Sequence, residues 1–338
     1  MTEYVELHAR SAFSFLEGAS LPEALIERAA ELEMPALALL DRNGVYGAPR
    51  LHMEGQRRGV RAHIGAEVAV SDLGQRLRPA KYLPHQHPIE PVRLPLLVES
   101  RAGYKNLCRL TTQFKLRESK KAEGSALTSD FEKYSEGLVC LTGGSEGPLA
   151  AALTGGGYDA AQQTVEQLVN IFGPRNVYVE LQRHFDREEE HRNRAAIRIA
   201  RSLNLPLLAT SGVNYATEYE REVMDVFTCI RHKTTLDKAG RLLGINADRH
   251  LRSATEMQQL FYDYPEAISN TRELSTRLQF EMTGLGYEFP AYPVPDGETM
   301  DSFLRKRTEE GIRRRYLPKN DPALYAKATQ QAEREPRP

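Results

Sequence analysis

The sequence has few of the residues and patterns that mark secreted or membrane proteins. It contains no Trp, and its three Cys residues, Cys108, Cys140 and Cys229, lie far apart with no C-x-x-C pair. Scattered cysteines of this kind indicate a reducing compartment and do not build a disulfide framework. The chain also lacks a run of about 18 apolar residues and a basic-then-apolar signal pattern at its start. We therefore expect a cytoplasmic protein with no membrane span.

Charge of either sign is not in excess. The chain has 45 Lys and Arg against 46 Asp and Glu, which leaves a formal net charge of −1. The whole chain therefore gives no electrostatic reason to bind nucleic acid, so any such contact must come from a local patch. Its 338 residues, 41% of them hydrophobic, are enough for one large barrel or two ordinary domains.

The first 210 residues alternate between short apolar runs and amphipathic segments. The apolar runs predict buried strands at 4–9, 36–41, 61–70, 94–99, 137–142, 176–182 and 205–210. The amphipathic segments predict helices at about 21–33, 46–58, 101–116, 158–172 and 187–203. Ser20 followed by Glu23 predicts a capping box at the first helix. Repeated strand–helix units of this type favour a mainly parallel α/β barrel or doubly wound sheet.

The remainder of the chain has a different pattern. Two stretches, 71–93 and 117–136, are polar and predict an inserted hairpin or loop and a charged connection. Beyond residue 218 the periodicity is helical only, at 218–232, 254–262, 265–280 and 299–315. Residues 284–298 are rich in Gly and Pro, which predicts an extended linker.

Six motifs, in order along the chain, carry a resemblance to a known family. They are Leu7–Ser20, Ala36–Gly44, His63–Glu67, Gly137–Gly144, Tyr178–His184 and Leu207–Tyr215. Together they resemble the N-terminal PHP (polymerase and histidinol phosphatase) domain of bacterial DNA polymerase III alpha-type subunits, and most of all the error-prone, ImuC-type branch. The resemblance covers roughly residues 3–335.

The resemblance implies a fold and a division of the chain. The expected fold is an α/β protein, a distorted (β/α)7 PHP barrel with a C-terminal helical extension. Residues 1–283 would form the barrel and its extension, 284–298 the linker, and 299–338 the start of a connection to a polymerase palm. The palm carboxylates that bind magnesium for nucleotide transfer are absent from the chain, so the chain alone is not expected to be a polymerase.

The resemblance also implies where a metal site would stand. The vestigial positions, most of them occupied by residues that cannot bind metal, are His8, Arg10, Glu17, Asp41, Arg42, Glu67, Arg93, Gly144, Gly212 and Asn214. Three of these residues are arginines where relatives have His, and a guanidinium stays protonated and cannot bind a cation. His184 could be a leftover ligand or a surface histidine at a strand end. We therefore expect no bound metal and no catalytic residue in this chain.

The substitutions suggest a structural role for the arginines. A barrel mouth that keeps Glu17, Asp41 and Glu67 without metal ions would hold uncompensated negative charge, which is costly when desolvated. We hypothesise that Arg10, Arg42 and Arg93 supply the missing positive charge. Alternatively, these arginines point into solvent and have no such role.

The function implied by the resemblance is that of a catalytically inactive scaffold domain in an error-prone, translesion DNA polymerase. No cofactor is expected in this chain, although the full-length polymerase would use magnesium. The implied partners are the polymerase core of the same protein and, through the full-length protein, the sliding clamp, damage-inducible accessory proteins and DNA. One alternative is a metal-dependent phosphoesterase or 3′–5′ exonuclease with a reduced metal site. Another is a module that binds nucleic acid through the arginines of the barrel mouth.

Overall fold

The computed structural model describes residues 4–74, 91–117, 124–286, 292–317 and 320–334. The chain divides into two compact units, Met1–Met282 and Thr283–Pro338. Residues 75–90 of the predicted loop at 71–93 lie outside the described residues. Residues 287–291 of the predicted linker at 284–298 do so as well.

The first unit contains one sheet of seven strands in the order of the chain. The strands are β1 (Glu6–Ala9), β2 (Ala36–Arg42), β3 (Arg61–Val70), β4 (Val92–Val98), β5 (Leu138–Leu141), β6 (Val177–Leu181) and β7 (Leu207–Ala209). All seven predicted strands are therefore confirmed. The mainly parallel expectation is wrong for β4, which runs antiparallel to both β3 and β5. A continuous apolar run shows that both faces of a strand are buried, but it carries no information about strand direction.

The curled sheet is joined across its two ends. Ala9 of β1 forms a parallel bridge with Val213, which follows β7. Two backbone hydrogen bonds make this junction: Arg10 N–H donates to Val213 O at 2.8 Å, and Val213 N–H donates to His8 O at 2.9 Å. The result is the distorted seven-stranded α/β barrel predicted from the sequence.

Helices connect and flank the strands of the first unit. They are α1 (Pro22–Glu31), α2 (Ala48–Arg58), α3 (Arg101–Arg117), α4 (Thr128–Tyr134), α5 (Pro148–Phe172), α6 (Arg187–Ser202), α7 (Arg221–His232), α8 (Leu236–Ala239), α9 (Ala254–Leu260) and α10 (Pro265–Arg277). Among the described residues, no helix is long and apolar enough to cross a lipid bilayer.

Three helix predictions need correction. The predicted capping box is absent, because α1 starts after Leu21 without a side-chain cap, and the Ser20 hydroxyl donates to Glu220 instead. Helix α4 lies inside the stretch predicted to be a polar connection. Helix α5 begins ten residues early, because Gly157, with φ of 76°, only kinks it. A glycine cluster that suggests a helix end can equally mark a kink.

The second unit contains α11 (Met300–Arg315) and α12 (Pro322–Arg334), and none of their residues is buried. Helix α11 matches the predicted segment, whereas α12 was not predicted.

The core of the barrel is apolar but encloses charged groups. Strand residues such as Leu7, Leu40 and Leu141 pack with Leu274 and Leu278 at the end of α10 and just beyond it. Close to these, several ionisable side chains are almost fully buried: Glu6, His8, Glu17, Asp41, Glu67 and Glu180. Buried charges of this kind require partners, because desolvation without compensation is costly.

Candidate functional site

The predicted site positions converge at one end of the barrel. Their elements explain this, because β1, β2, β3, β5 and β7 finish at that end and the antiparallel β4 begins there. A small cavity of about 20 Å³ lies at this mouth. Seven of the ten predicted positions line it: His8, Arg10, Glu67, Arg93, Gly144, Gly212 and Asn214. Glu17 contacts the lining residue Arg93, and Arg42 contacts Glu17, whereas Asp41 lies next to Arg42 at the end of β2 and does not line the cavity.

His8 is held between two carboxylates. Its Nδ1 lies 2.7 Å from Glu180 Oε1 and its Nε2 lies 2.8 Å from Glu67 Oε1. Burial alone would lower the pKa of His8, but the two carboxylates outweigh it and raise the pKa from 6.5 to about 10. The two carboxylates therefore favour the imidazolium form of His8, and protein groups occupy both of its ring nitrogens.

Arg10 covers Glu67 from the outer side of the mouth. Its Nε donates to Glu67 Oε2, and its Nη2 donates to Glu67 Oε1 at 2.7 Å. The same Nη2 reaches Glu146 Oε2 at 2.5 Å. Burial would raise the pKa of Glu67, but Arg10 and His8 hold it well below its ordinary value. Both oxygens of Glu67 are thus committed to protein cations in a two-pronged, charge-assisted geometry.

Glu17 is shared by three arginines. Arg93 donates to both carboxylate oxygens at 2.6 and 2.8 Å, and Arg42 Nη1 donates to Oε1 at 2.6 Å. Arg231, on α7, brings its Nη1 within 3.2 Å of the same oxygen. The Glu17 side chain is only 2% exposed, whereas that of Arg42 is 42% exposed. Both Arg10 and Arg42 therefore lie within hydrogen-bonding distance of a buried mouth carboxylate, as the pairing hypothesis requires.

Asp41 is stabilised differently. It accepts hydrogen bonds from the backbone N–H and the hydroxyl of Ser11, each at 2.9 Å, and from the hydroxyl of Ser14 at 2.9 Å. Burial raises the pKa of Asp41, and these hydrogen bonds oppose the rise. In the described structure its hydrogen-bond partners are serines of the loop after β1 and the backbone of Gly47, so the pairing hypothesis holds for Glu17 and Glu67 but not for Asp41.

Gly144 and Gly212 face a glutamine that fills the space between them. A Cβ at Gly144 would lie 2.4 Å from Gln182 Oε1, and one at Gly212 would lie 2.5 Å from Gln182 Nε2. Gly212 also has a φ of 52°, which L side chains rarely adopt. The Gln182 amide donates to Glu180 Oε1 at 2.8 Å and is 3% exposed. Ligand side chains at these two glycine positions would collide with Gln182.

The residues present do not fit a metal cluster. Within the described ranges, no group of three or more His, Cys, Asp or Glu side chains is arranged to hold a metal ion. Two buried oxygens, Glu180 Oε2 and Gln182 Oε1, lack hydrogen-bond partners there. The other oxygen of Glu180 is bound to His8 and to the Gln182 amide, and two free oxygens are far fewer than a multinuclear metal site requires. In the described part of the chain, the buried carboxylates Glu17 and Glu67 of the mouth are therefore paired with protein cations.

His184 is buried and is not the surface residue that one interpretation of the sequence allowed. It is 5% exposed; its Nδ1 lies 2.9 Å from Glu189 Oε1, and its Nε2 donates to Ser211 O at 2.7 Å. With both ring nitrogens engaged, it fixes the start of α6 to the segment after β7. The surface interpretation failed because the sequence does not show that Glu189, five residues later, folds back onto it.

The sequence reasoning missed five polar residues at the mouth. They are Glu146, Glu180, Gln182, Arg231 and Arg249. Glu180 and Gln182 alternate along the end of β6, so both belong to one face, and this spacing could have identified them. Glu146 stands in the glycine-rich loop after β5, a position where strand-end chemistry is expected. Arg231 and Arg249 lie in the helical extension, and no local signal links them to the barrel.

The fold and the strand-end site are those of a known class. The PHP domain family matches residues 6–184, just over half of the chain. The chain therefore belongs to the PHP domain family.

Similar proteins of known name narrow the comparison to one kind of PHP-containing protein. The chain is similar to the error-prone DNA polymerase of Mycolicibacterium paratuberculosis, at 36% identity over 328 residues, which are 96% of this chain and 29% of that protein. It is also similar to the error-prone DNA polymerase of Anaeromyxobacter sp. strain K, at 36% identity over 299 residues, 86% of this chain and 24% of that protein. The chain thus spans less than a third of the length of these relatives.

Solved structures resemble the chain only weakly. An amidohydrolase from Chromobacterium violaceum aligns with a TM-score of 0.41 and 14% identity, over 64% of this chain and 89% of that chain. A likeness of this degree has no bearing on function.

Proposed function

We propose that this chain is the structural, catalytically inactive PHP domain of an error-prone, translesion DNA polymerase. The observation that carries the proposal is the arrangement of the mouth arginines. Arg10 on Glu67, and Arg42 with Arg93 on Glu17, place guanidinium groups on the carboxylates that a metal cluster would need. A covalently attached cation neutralises a buried carboxylate but cannot activate water.

Within this proposal, residues 1–283 are the barrel with its helical extension, 284–298 are a linker, and 299–338 begin the connection to the polymerase palm. The domain would pack against the polymerase core of the same protein. The sliding clamp, damage-inducible accessory proteins and DNA would be partners of the full-length protein, in the cytoplasm. Magnesium would act at the palm and not in the barrel.

Helix α7 exposes apolar side chains, which supports a role in packing against another part of the protein. The buried residues of α7 are Thr228 and Cys229, whereas Val223, Val226 and Ile230 are 42%, 44% and 56% exposed. Three apolar residues at this helical spacing form a stripe that ordinarily faces another part of the protein. We propose that the polymerase core covers this stripe.

The rival function, a metal-dependent phosphoesterase or exonuclease, requires metal ions that the mouth residues do not fit. A direct test is to purify the protein from cells supplied with zinc, manganese and iron and to measure its metal content by mass spectrometry. We expect substoichiometric metal and no hydrolysis of a generic phosphodiester or of DNA 3′ ends above background.

Two variants make the assay decisive. Glu67→Gln removes a mouth carboxylate, and Glu31→Gln changes an exposed carboxylate on α1 as the matched control. Stoichiometric metal together with turnover that Glu67→Gln abolishes and Glu31→Gln preserves would establish the enzyme and refute the scaffold proposal.

A further inference from the structure

A second cavity opens beside the barrel mouth, between the residues after β7, helix α7 and the segment 242–246. Its volume is about 260 Å³, slightly below the usual range of about 300–1,000 Å³ for small-ligand sites. Asn214 and Arg249 line both this cleft and the smaller cavity at the mouth. One wall of the cleft is apolar and is formed by Leu242, Leu243 and Ile245.

Arg249 is a partly buried cation at the wall of this cleft. Among the described residues, its guanidinium makes no hydrogen bond or ion pair, although it stands at the shared wall of two cavities. Burial lowers the pKa of Arg249, and the negative charges of Glu189 and Glu146 offset this effect only in part. The Arg249 side chain is partly exposed, and a guanidinium at a cavity wall without a carboxylate partner can donate its N–H groups to an oxyanion.

The carboxylates that line the cleft are committed to other groups. Glu189 lies 2.9 Å from His184 Nδ1 and 3.2 Å from Arg192 Nη2. Asp225 pairs with Arg221 at 3.1 Å. Asp186 caps α6 by accepting from Glu188 N–H at 3.0 Å. Since none of them reaches Arg249, a ligand anion would meet an available donor there.

A second guanidinium faces the same cleft. Arg231 is 3.2 Å from Glu17, but that carboxylate already accepts three shorter hydrogen bonds from Arg42 and Arg93. The single negative charge of Glu17 is therefore divided among three cations. The Arg231 side chain is 37% exposed and remains able to share another anion.

We propose that this cleft binds a phosphate monoester group, with Arg249 as the principal contact and Arg231 as the second cation. A guanidinium fork matches the oxygens of a phosphate in two-pronged geometry. Two incompletely paired cations fit a doubly charged anion better than a single carboxylate. The apolar wall then receives the organic part of the ester. The ester could be a small phosphorylated molecule or the 5′-phosphate end of a nucleic acid, and the site does not depend on the scaffold proposal.

The test measures binding at constant ionic strength by thermal shift and by calorimetric titration. The probes are inorganic phosphate, a nucleoside monophosphate, a short 5′-phosphorylated single strand and the same strand with a 5′-hydroxyl. We expect Arg249→Gln to weaken the phosphate-containing ligands at least tenfold and Arg231→Gln to weaken them less. Arg241→Gln, at an exposed arginine in the same segment, is the matched control and should leave binding unchanged.

The unliganded variant separates binding from a structural role. Because no described carboxylate loses a partner, Arg249→Gln should unfold at the wild-type temperature without ligand and lose only the ligand-induced rise. A preference for the 5′-phosphorylated strand over the 5′-hydroxyl strand assigns the site to nucleic acid ends. Equal failure of both strands, with the monophosphate still bound, assigns it to small esters. Ligand shifts that are as large in Arg249→Gln as in the wild type would overturn the proposal.

Discussion

Arg10 and Arg42 each donate to a buried mouth carboxylate, yet the structure predicts very different costs for removing them. Arg10→Ala leaves the buried Glu67 with His8 as its remaining charged partner, at 2.8 Å. Breaking a buried pair costs about 3–5 kcal/mol, and the retained imidazolium puts the expected loss near the lower end, about 3 kcal/mol. In Arg42→Ala, Glu17 keeps both hydrogen bonds from Arg93. Because Arg42 is 42% exposed, we expect a loss of about 1 kcal/mol or less.

Urea unfolding at neutral pH would measure both free energies on one scale, with equal m-values confirming comparable transitions. For a unit of this size, the loss in Arg10→Ala corresponds to a fall of about 6–12 °C in melting temperature. Arg10→Lys should fall between the wild type and Arg10→Ala, because it keeps the charge but loses the fork. Equal losses for Arg10→Ala and Arg42→Ala would refute the reasoning, since burial and remaining partners would then not decide the cost.

Two further predictions concern the same mouth. The folded pKa of His8, about 10, lies above its ordinary value of 6.5, so its contribution to stability is fully present below about pH 6.5 and is lost as the pH rises through 10. The free energy of unfolding should therefore fall by a few kcal/mol over that interval, and a pH series on His8→Gln should show a flatter curve; a wild-type curve that is already flat contradicts the assignment. Gly212→Asp should destabilise the barrel by about 1–3 kcal/mol, because of its φ of 52° and the collision with Gln182. Adding Gln182→Ala should recover part of that loss in a double-mutant cycle, and strictly additive losses would show that the two sites do not collide.

The sequence predicted the strands better than the helices for a physical reason. A buried strand such as β3 or β6 is an uninterrupted apolar run, and this signal survives whatever packs around it. Strand direction and helix ends depend on tertiary contacts, which explains the errors at β4 and α5. The predicted helix began at residue 158, whereas α5 begins at Pro148 and continues through the kink at Gly157.

For the site, the sequence located the positions but only part of the network. His8, Arg10 and Glu67 could be assigned to one place because strand ends in a barrel converge. The cations on Glu17 could be predicted only partly, since Arg231 reaches it from α7 and no sequence pattern connects those two residues. Gln182 was missed because it occupies space that side chains at Gly144 and Gly212 would otherwise fill. These three residues lie in different segments, so no local sequence pattern connects them.

The bridge between Ala9 and Val213 has a consequence for how this chain folds. One edge of β1 pairs with β2 early in the sequence, but its other edge is covered only when the segment after β7 arrives. During synthesis, the first strand therefore presents unpaired N–H and C=O groups until the ribosome has passed residue 213. An open strand edge is a template for pairing with other chains, and contacts between residues so far apart in sequence form slowly. Barrel closure is thus the step at which chaperone protection and translation speed should most affect the yield of folded protein.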